Sequence, residues 1–143
     1  MTRAVIDDHL LRDLLSGQLS AEFGDLLHDF EPATTNLYFH RLCRSVIAGR
    51  GGALTGWLSE TQRHALGRSL TTLPGTIEIV PMRVLAYRMA ELASVHGVST
   101  LGAEAIASSE HLGAALCVWE GDDGPRTRSG AMAVGTPYRV IRR

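Results

Sequence analysis

The chain contains no lysine: all 14 basic residues are arginine, set against 15 acidic ones for a formal charge of -1. That balance excludes a generally basic protein, so any contact with nucleic acid has to come from local arginine clusters. It also removes the phosphate-binding loop GxxxxGK[ST], and there is no GxGxxG following a strand. Cysteine is equally scarce. Cys43 and Cys117 stand alone in apolar settings, without the CxxC or Cys/His spacing of a zinc site, and read as buried thiols. His9, His28, His40, His64, His96 and His111 show no HxH or HExxH spacing, so pattern alone gives none of them a role. No apolar run approaches the roughly 18 residues of a spanning helix, and the opening MTRAVIDDHL holds no long apolar stretch. The expected setting is the cytoplasm, with no membrane contact.

What is present is core-forming material. Of 143 residues, 45% are hydrophobic and 20% charged, which predicts one domain over residues 1–143. No repeat or low-complexity linker interrupts it. Ala4-Val5-Ile6 reads as a strand stopped by Asp7-Asp8, and Leu10, Leu11, Leu14 and Leu15 then recur at helical spacing. Residues 19–30 predict a second helix, with Glu31-Pro32 as its stop. Thr34-Thr35-Asn36 caps a third, in which Tyr38, Leu42, Val46 and Ile47 form an expected buried stripe. A helix is expected from Leu54 to Leu73, a strand from Thr76 to Pro81, and a helix from Met82 to Gly97. Ser99 or Thr100 caps the next helix, Ala114–Trp119 is a strand, and GDDGPRTRSG reads as a loop. A helical turn near 131–134 precedes a closing strand, YRVI. Strands alternating with helices predict a three-layer α/β fold, its largely parallel sheet flanked by helices.

In such a sheet ligands collect beyond the carboxyl ends of the strands. Two expected strands end in acids, at Asp7-Asp8 and at Glu120, with Asp122 and Asp123 close behind and Glu104 in the preceding helix. Converging carboxylates suit Mg²⁺ or Mn²⁺, hard cations that orient water and neutralise charge on phosphate. Each residue also has a plainer role. Asp7 or Asp8 can cap the first helix, and Glu104 can answer a helix dipole. Arg41 and Arg44, one turn apart, with Arg50 in the glycine-rich break, can grip a phosphate backbone or merely form a solvated helix face.

The stretches AVIDDHLLRDLL, NLYFHRLCRSV, HGVSTLGAEAIASSEHLGAALCVWEGDD and GTPYRVI together resemble the PIN domains, which include toxin ribonucleases of bacterial toxin-antitoxin pairs. The resemblance spans nearly the whole chain. It implies a metal-dependent ribonuclease using three or four acids, with RNA as substrate, an antitoxin-like protein as partner and a homodimer as assembly. Asp7 fits the first acid. Asn36 or a neutral neighbour stands where the family places a Glu, and Gly102 stands where it places an Asp. Glu104 lies two residues beyond, about 200° around the helix. Glu120, Asp122 or Asp123 fits the last. The expected ligands are therefore Asp7, Glu104 and Asp122, with Glu120 added to the catalytic set and Arg41, Arg44 and Arg50 on the RNA. Two functions follow: an RNA-binding domain that has lost its metal acids, or an active Mg²⁺- or Mn²⁺-dependent endoribonuclease.

Overall fold

A computed structural model describes residues 2–143, which leaves Met1 of the expected domain outside it. Five strands form one sheet: β1 (Arg3–Ile6), β2 (Glu31–Thr34), β3 (Glu78–Ile79), β4 (Ala115–Trp119) and β5 (Tyr138–Ile141). Their order is β3-β2-β1-β4-β5, and every pairing is parallel. Helices α1 (Asp8–Ser16) and α2 (Ala21–Asp29) connect β1 to β2. Helices α3 (Asn36–Ala48) and α4 (Glu60–Thr71) lead to β3, α5 (Met82–His96) and α6 (Thr100–Leu112) to β4, and α7 (Pro125–Ala133) to β5.

The period of two along the strands divides the core. Val5, Leu116 and Val118 face a cluster with Leu85, Leu92 and Ile106 of α5 and α6. Ala4, Ile6 and Cys117 face the other, with Leu11, Phe23, Leu42 and Leu66 of α1 to α4. A sheet buried on both faces needs these apolar strands, and helices above and below make the three layers expected from the sequence. Cys117 is fully buried, as anticipated, which pushes its thiol up to about 12.

Five local expectations are corrected. Glu31–Thr34 is a strand, not merely a helix stop. Glu31 N donates to Thr2 O, so Pro32 faces away from β1, to the side where β3 begins only beside Ala33. Its missing N–H therefore breaks no ladder bond. The loop after β4 contains a true helix, α7, opened by Pro125 in its first turn. The strand expected from Thr76 to Pro81 shrinks to Glu78–Ile79, and the helix expected from Leu54 to Leu73 to Glu60–Thr71. Ile47, expected in the buried stripe of α3, is 87% exposed, while Tyr38 and Leu42 are buried.

The chain runs from β1 outward to β3, then returns to the opposite side of β1 for β4. The carboxyl ends of β1 and β4 thus flank a topological switch point, where open α/β sheets form their crevice.

Candidate functional site

Asp7 leaves β1 at that crevice. Its extended backbone ends the strand, and its Oδ1 accepts from Leu10 N at 2.9 Å, making it the N-cap of α1. Its Oδ2 accepts from Trp119 N, also at 2.9 Å, which ties the end of β1 to the end of β4. The sequence allows either Asp7 or Asp8 as that cap; Asp8 occupies the first turn of α1 instead, fully buried. Its Oδ1 accepts from His9 N at 3.0 Å and lies 3.2 Å from His9 Nδ1. Its Oδ2 faces Arg41 Nη1 at 3.1 Å but has no hydrogen bond of good geometry.

The turn Glu120–Asp122 after β4 brings Asp122 back across the crevice, with Oδ2 2.6 Å from His9 Nδ1. The His9 ring stacks on Trp119, centroids 4.6 Å apart, which fixes its orientation. One ligand atom from each of Asp7, Asp8, His9 and Asp122 lies within 4.8 Å of the other three. Three carboxylates and one imidazole at this spacing can hold a metal ion. The donor chemistry fits a divalent cation: hard oxygens dominate, one nitrogen joins them, and a buried carboxylate oxygen has no hydrogen bond.

The electrostatics reflect crowded like charges. Burial, reinforced by the charges of Asp8 and Asp122, raises Asp7 to about 7 against the two backbone N–H groups that favour its ionised form. Burial alone would lower His9, but its hydrogen bonds to Asp122 and Asp8 outweigh that and raise it to about 9. Burial works to raise Asp122, yet its bond to His9 holds it below the usual carboxylate range. Tyr38 is pushed well above its ordinary value, first by burial and then by the negative charge of Asp7, Asp8 and Asp122.

The structure joins two of the three expected ligands, Asp7 and Asp122, and adds Asp8 and His9. Glu104 is not in this group. It is fully buried, and both its oxygens serve the start of α3: Oε2 accepts from Asn36 N at 3.1 Å and Asn36 Nδ2 at 2.7 Å, and Oε1 from Leu37 N at 2.8 Å. Glu120 is exposed and lies outside the group of four. Asp123 turns away to Tyr138 and Arg128, its carboxyl lowered first by the Arg128 bond. Gly102 sits where α7 packs on α6, and a Cβ there would lie 2.5 Å from Thr127 Oγ1. An acid at 102 would have to displace Thr127.

Arg41 and Arg44 line a cavity of about 220 Å³ with Ser45, Ala48 and the segment from Gly51 to Leu54. Arg50 is exposed on the adjoining turn and does not line it.

His9 shows no ligand spacing in the sequence because Asp122, which joins it across the crevice, lies 113 positions away. The available signal was the place of His9, three residues beyond the end of an apolar strand, in the first turn of a helix at the sheet's carboxyl edge.

No family model and no curated protein matches the chain. Among solved structures it is similar to a chain described as a toxin-antitoxin complex from Klebsiella pneumoniae, with a TM-score of 0.57 and 18% sequence identity. The match covers 84% of this chain and 88% of that one. At that identity the likeness establishes a shared α/β fold with a parallel sheet and helices on both faces.

Proposed function

We propose that this protein is a toxin-like, PIN-like domain that binds RNA and cleaves it with a divalent cation, Mg²⁺ or Mn²⁺, held by Asp7, Asp8, His9 and Asp122. The observation that carries this reading is the convergence of those four donors at the β1/β4 switch point. A bound divalent ion would supply Lewis-acid stabilisation of a phosphodiester and activation of water. The chain's own contribution is placement. Asp7 is pinned by Leu10 N and Trp119 N, His9 by the Trp119 ring, and Asp122 by His9. Arg41 and Arg44 supply cationic forks for the RNA backbone beside the cluster, with Arg50 close to them in sequence.

Support for the toxin role comes from the sequence resemblance and from the fold shared with a component of a toxin-antitoxin complex. An antitoxin-like protein partner and a homodimer belong to the same reading. Val84, Tyr87 and Val95 leave an exposed apolar strip along α5 that supports protein contacts. No helix among the described residues is long and apolar enough to cross a membrane.

The test is incubation of the purified chain with single-stranded RNA and Mn²⁺ or Mg²⁺. Cleavage that EDTA abolishes, and that Asp7→Ala lowers by at least about 100-fold, is expected. Cleavage untouched by Asp7→Ala would contradict the assignment. A second reading, an RNA-binding domain without hydrolysis, is favoured by one specific feature. Arg41 and His9 already neutralise Asp8 and Asp122, so the cluster carries internal counter-ions. RNA retained in a gel shift but never cleaved, with either metal, would establish that alternative.

A further inference from the structure

We infer that Arg41 is an exchangeable counter-ion, through which an oxyanion bound beside α3 and a divalent cation bound at Asp7, Asp8, His9 and Asp122 strengthen each other's binding. This rests on the reading of that cluster as a cation site and adds its regulation.

Asp8 is fully buried at the start of α1. A fully buried carboxylate needs a cationic or hydrogen-bonded partner for each oxygen. Asp8 Oδ1 has His9, but Oδ2 has no hydrogen-bond partner among the described residues and faces the Arg41 guanidinium 3.1 Å away. Arg41 is not locked there. Its side chain is 44% exposed, and the same residue lines the cavity beside α3. Arg41 thus belongs both to the ion pair with Asp8 and to the lining of an open cavity.

That cavity is built to receive an anion. Arg44, one helical turn along α3, lines it too and has no carboxylate partner among the described residues. Another part of the lining is fixed. Ser45 Oγ accepts from Leu54 N at 3.0 Å and Thr55 N at 3.1 Å, holding the loop against α3. Gly52 packs so tightly that a Cβ there would lie 2.2 Å from Ser45 O. Two arginines lining a cavity of about 220 Å³ supply the charge that suits a tetrahedral oxyanion such as an RNA phosphate.

A cation at the cluster and Arg41 compete for Asp8 Oδ2. An anion in the cavity either draws Arg41 away or screens its charge, and in both cases lowers the cost of placing a cation on Asp8. By linkage, the cation must favour the anion by the same factor. Substrate phosphate would then recruit the metal ion, and the cluster would remain neutralised by Arg41 when no substrate is present.

The experiment measures Mn²⁺ affinity by calorimetry and by the paramagnetic resonance signal of free Mn²⁺. Sodium sulfate is compared with sodium chloride at matched ionic strength, sulfate serving as the oxyanion probe. Sulfate is expected to tighten Mn²⁺ binding by about fivefold or more. In Arg41→Gln, Mn²⁺ should bind more tightly than in the wild type in chloride and lose its response to sulfate. A wild-type affinity indifferent to sulfate overturns the coupling and leaves the cation site standing, whether or not the variant folds. A sulfate response that survives in Arg41→Gln also overturns it. Absence of Mn²⁺ binding in both salts overturns the cation site itself and the coupling with it.

Discussion

Asp7 and Glu104 are both fully buried carboxylates beside the first turn of a helix, yet they do different work. Glu104 reaches from α6 to α3, where three N–H groups from Asn36 and Leu37 satisfy its two oxygens, and it belongs to no cluster of acids. Asp7 receives two N–H groups, and Asp8 and Asp122 crowd it with like charge. The first is a structural tie. The second is held against electrostatic cost, as expected where a cation is to be received. Burial alone does not separate these roles; the surrounding donors and charges do.

Removing the tie should have the largest effect on stability. Glu104→Ala leaves three buried donors without an acceptor and opens a cavity, and is expected to cost about 4 kcal/mol, or roughly 10 °C in melting temperature. Differential scanning calorimetry measures it. A loss below about 1 kcal/mol would show that the start of α3 does not depend on Glu104.

Asp7→Asn should move in the opposite direction. At pH 8 in EDTA the variant is expected to be more stable than the wild type by about 2 kcal/mol. Removing a charge that burial disfavours outweighs losing the acceptor for Trp119 N. Destabilisation at pH 8 would mean that the two backbone bonds dominate.

The pH dependence sharpens the same contrast. Asp7 is raised from 3.8 to about 7, so its unfavourable contribution accumulates as pH climbs through that interval and is complete above it. His9 is raised from 6.5 to about 9, so its favourable contribution is fully present below 6.5 and disappears as pH rises through 9. Asp122 is lowered, so its contribution persists above 3.8 and is lost only in stronger acid. Metal-free wild type should therefore lose stability from pH 5 to pH 9, and its gap to Asp7→Asn should widen from pH 5 to pH 8. A gap constant with pH would contradict the environment described for Asp7.

The smallest effect is expected at an exposed pair. Arg88 donates from Nε and Nη2 to Glu110 at 2.9 and 3.0 Å. Solvent screens this contact, and Arg88→Ala should cost only about 0.5 kcal/mol.

The sequence displayed one side of the Asp7–Glu104 contrast better than the other. An apolar run stopping at Asp7, and a second at the Glu120–Asp123 loop, pointed to the crevice because strand ends leave a pattern along the chain. The rotation of about 200° between positions 102 and 104 already separated Glu104 from the acid it might have replaced. Its actual partners, 67 and 68 residues away, leave no local trace. The same holds for His9 and Asp122, separated by 113 positions. β2 was concealed by its shortness and its proline, and α7 by a polar stretch whose helix is held by contact with α5 and α6.

The central claim is that Asp7, Asp8, His9 and Asp122 form one divalent-cation site and that Glu104 stands apart from it. Calorimetric titration of Mn²⁺ into wild type, Asp7→Asn and Glu104→Gln tests this most directly. Saturable binding to wild type and Glu104→Gln, absent in Asp7→Asn, is the predicted result. Equal binding to wild type and Asp7→Asn, or none to wild type, would contradict it.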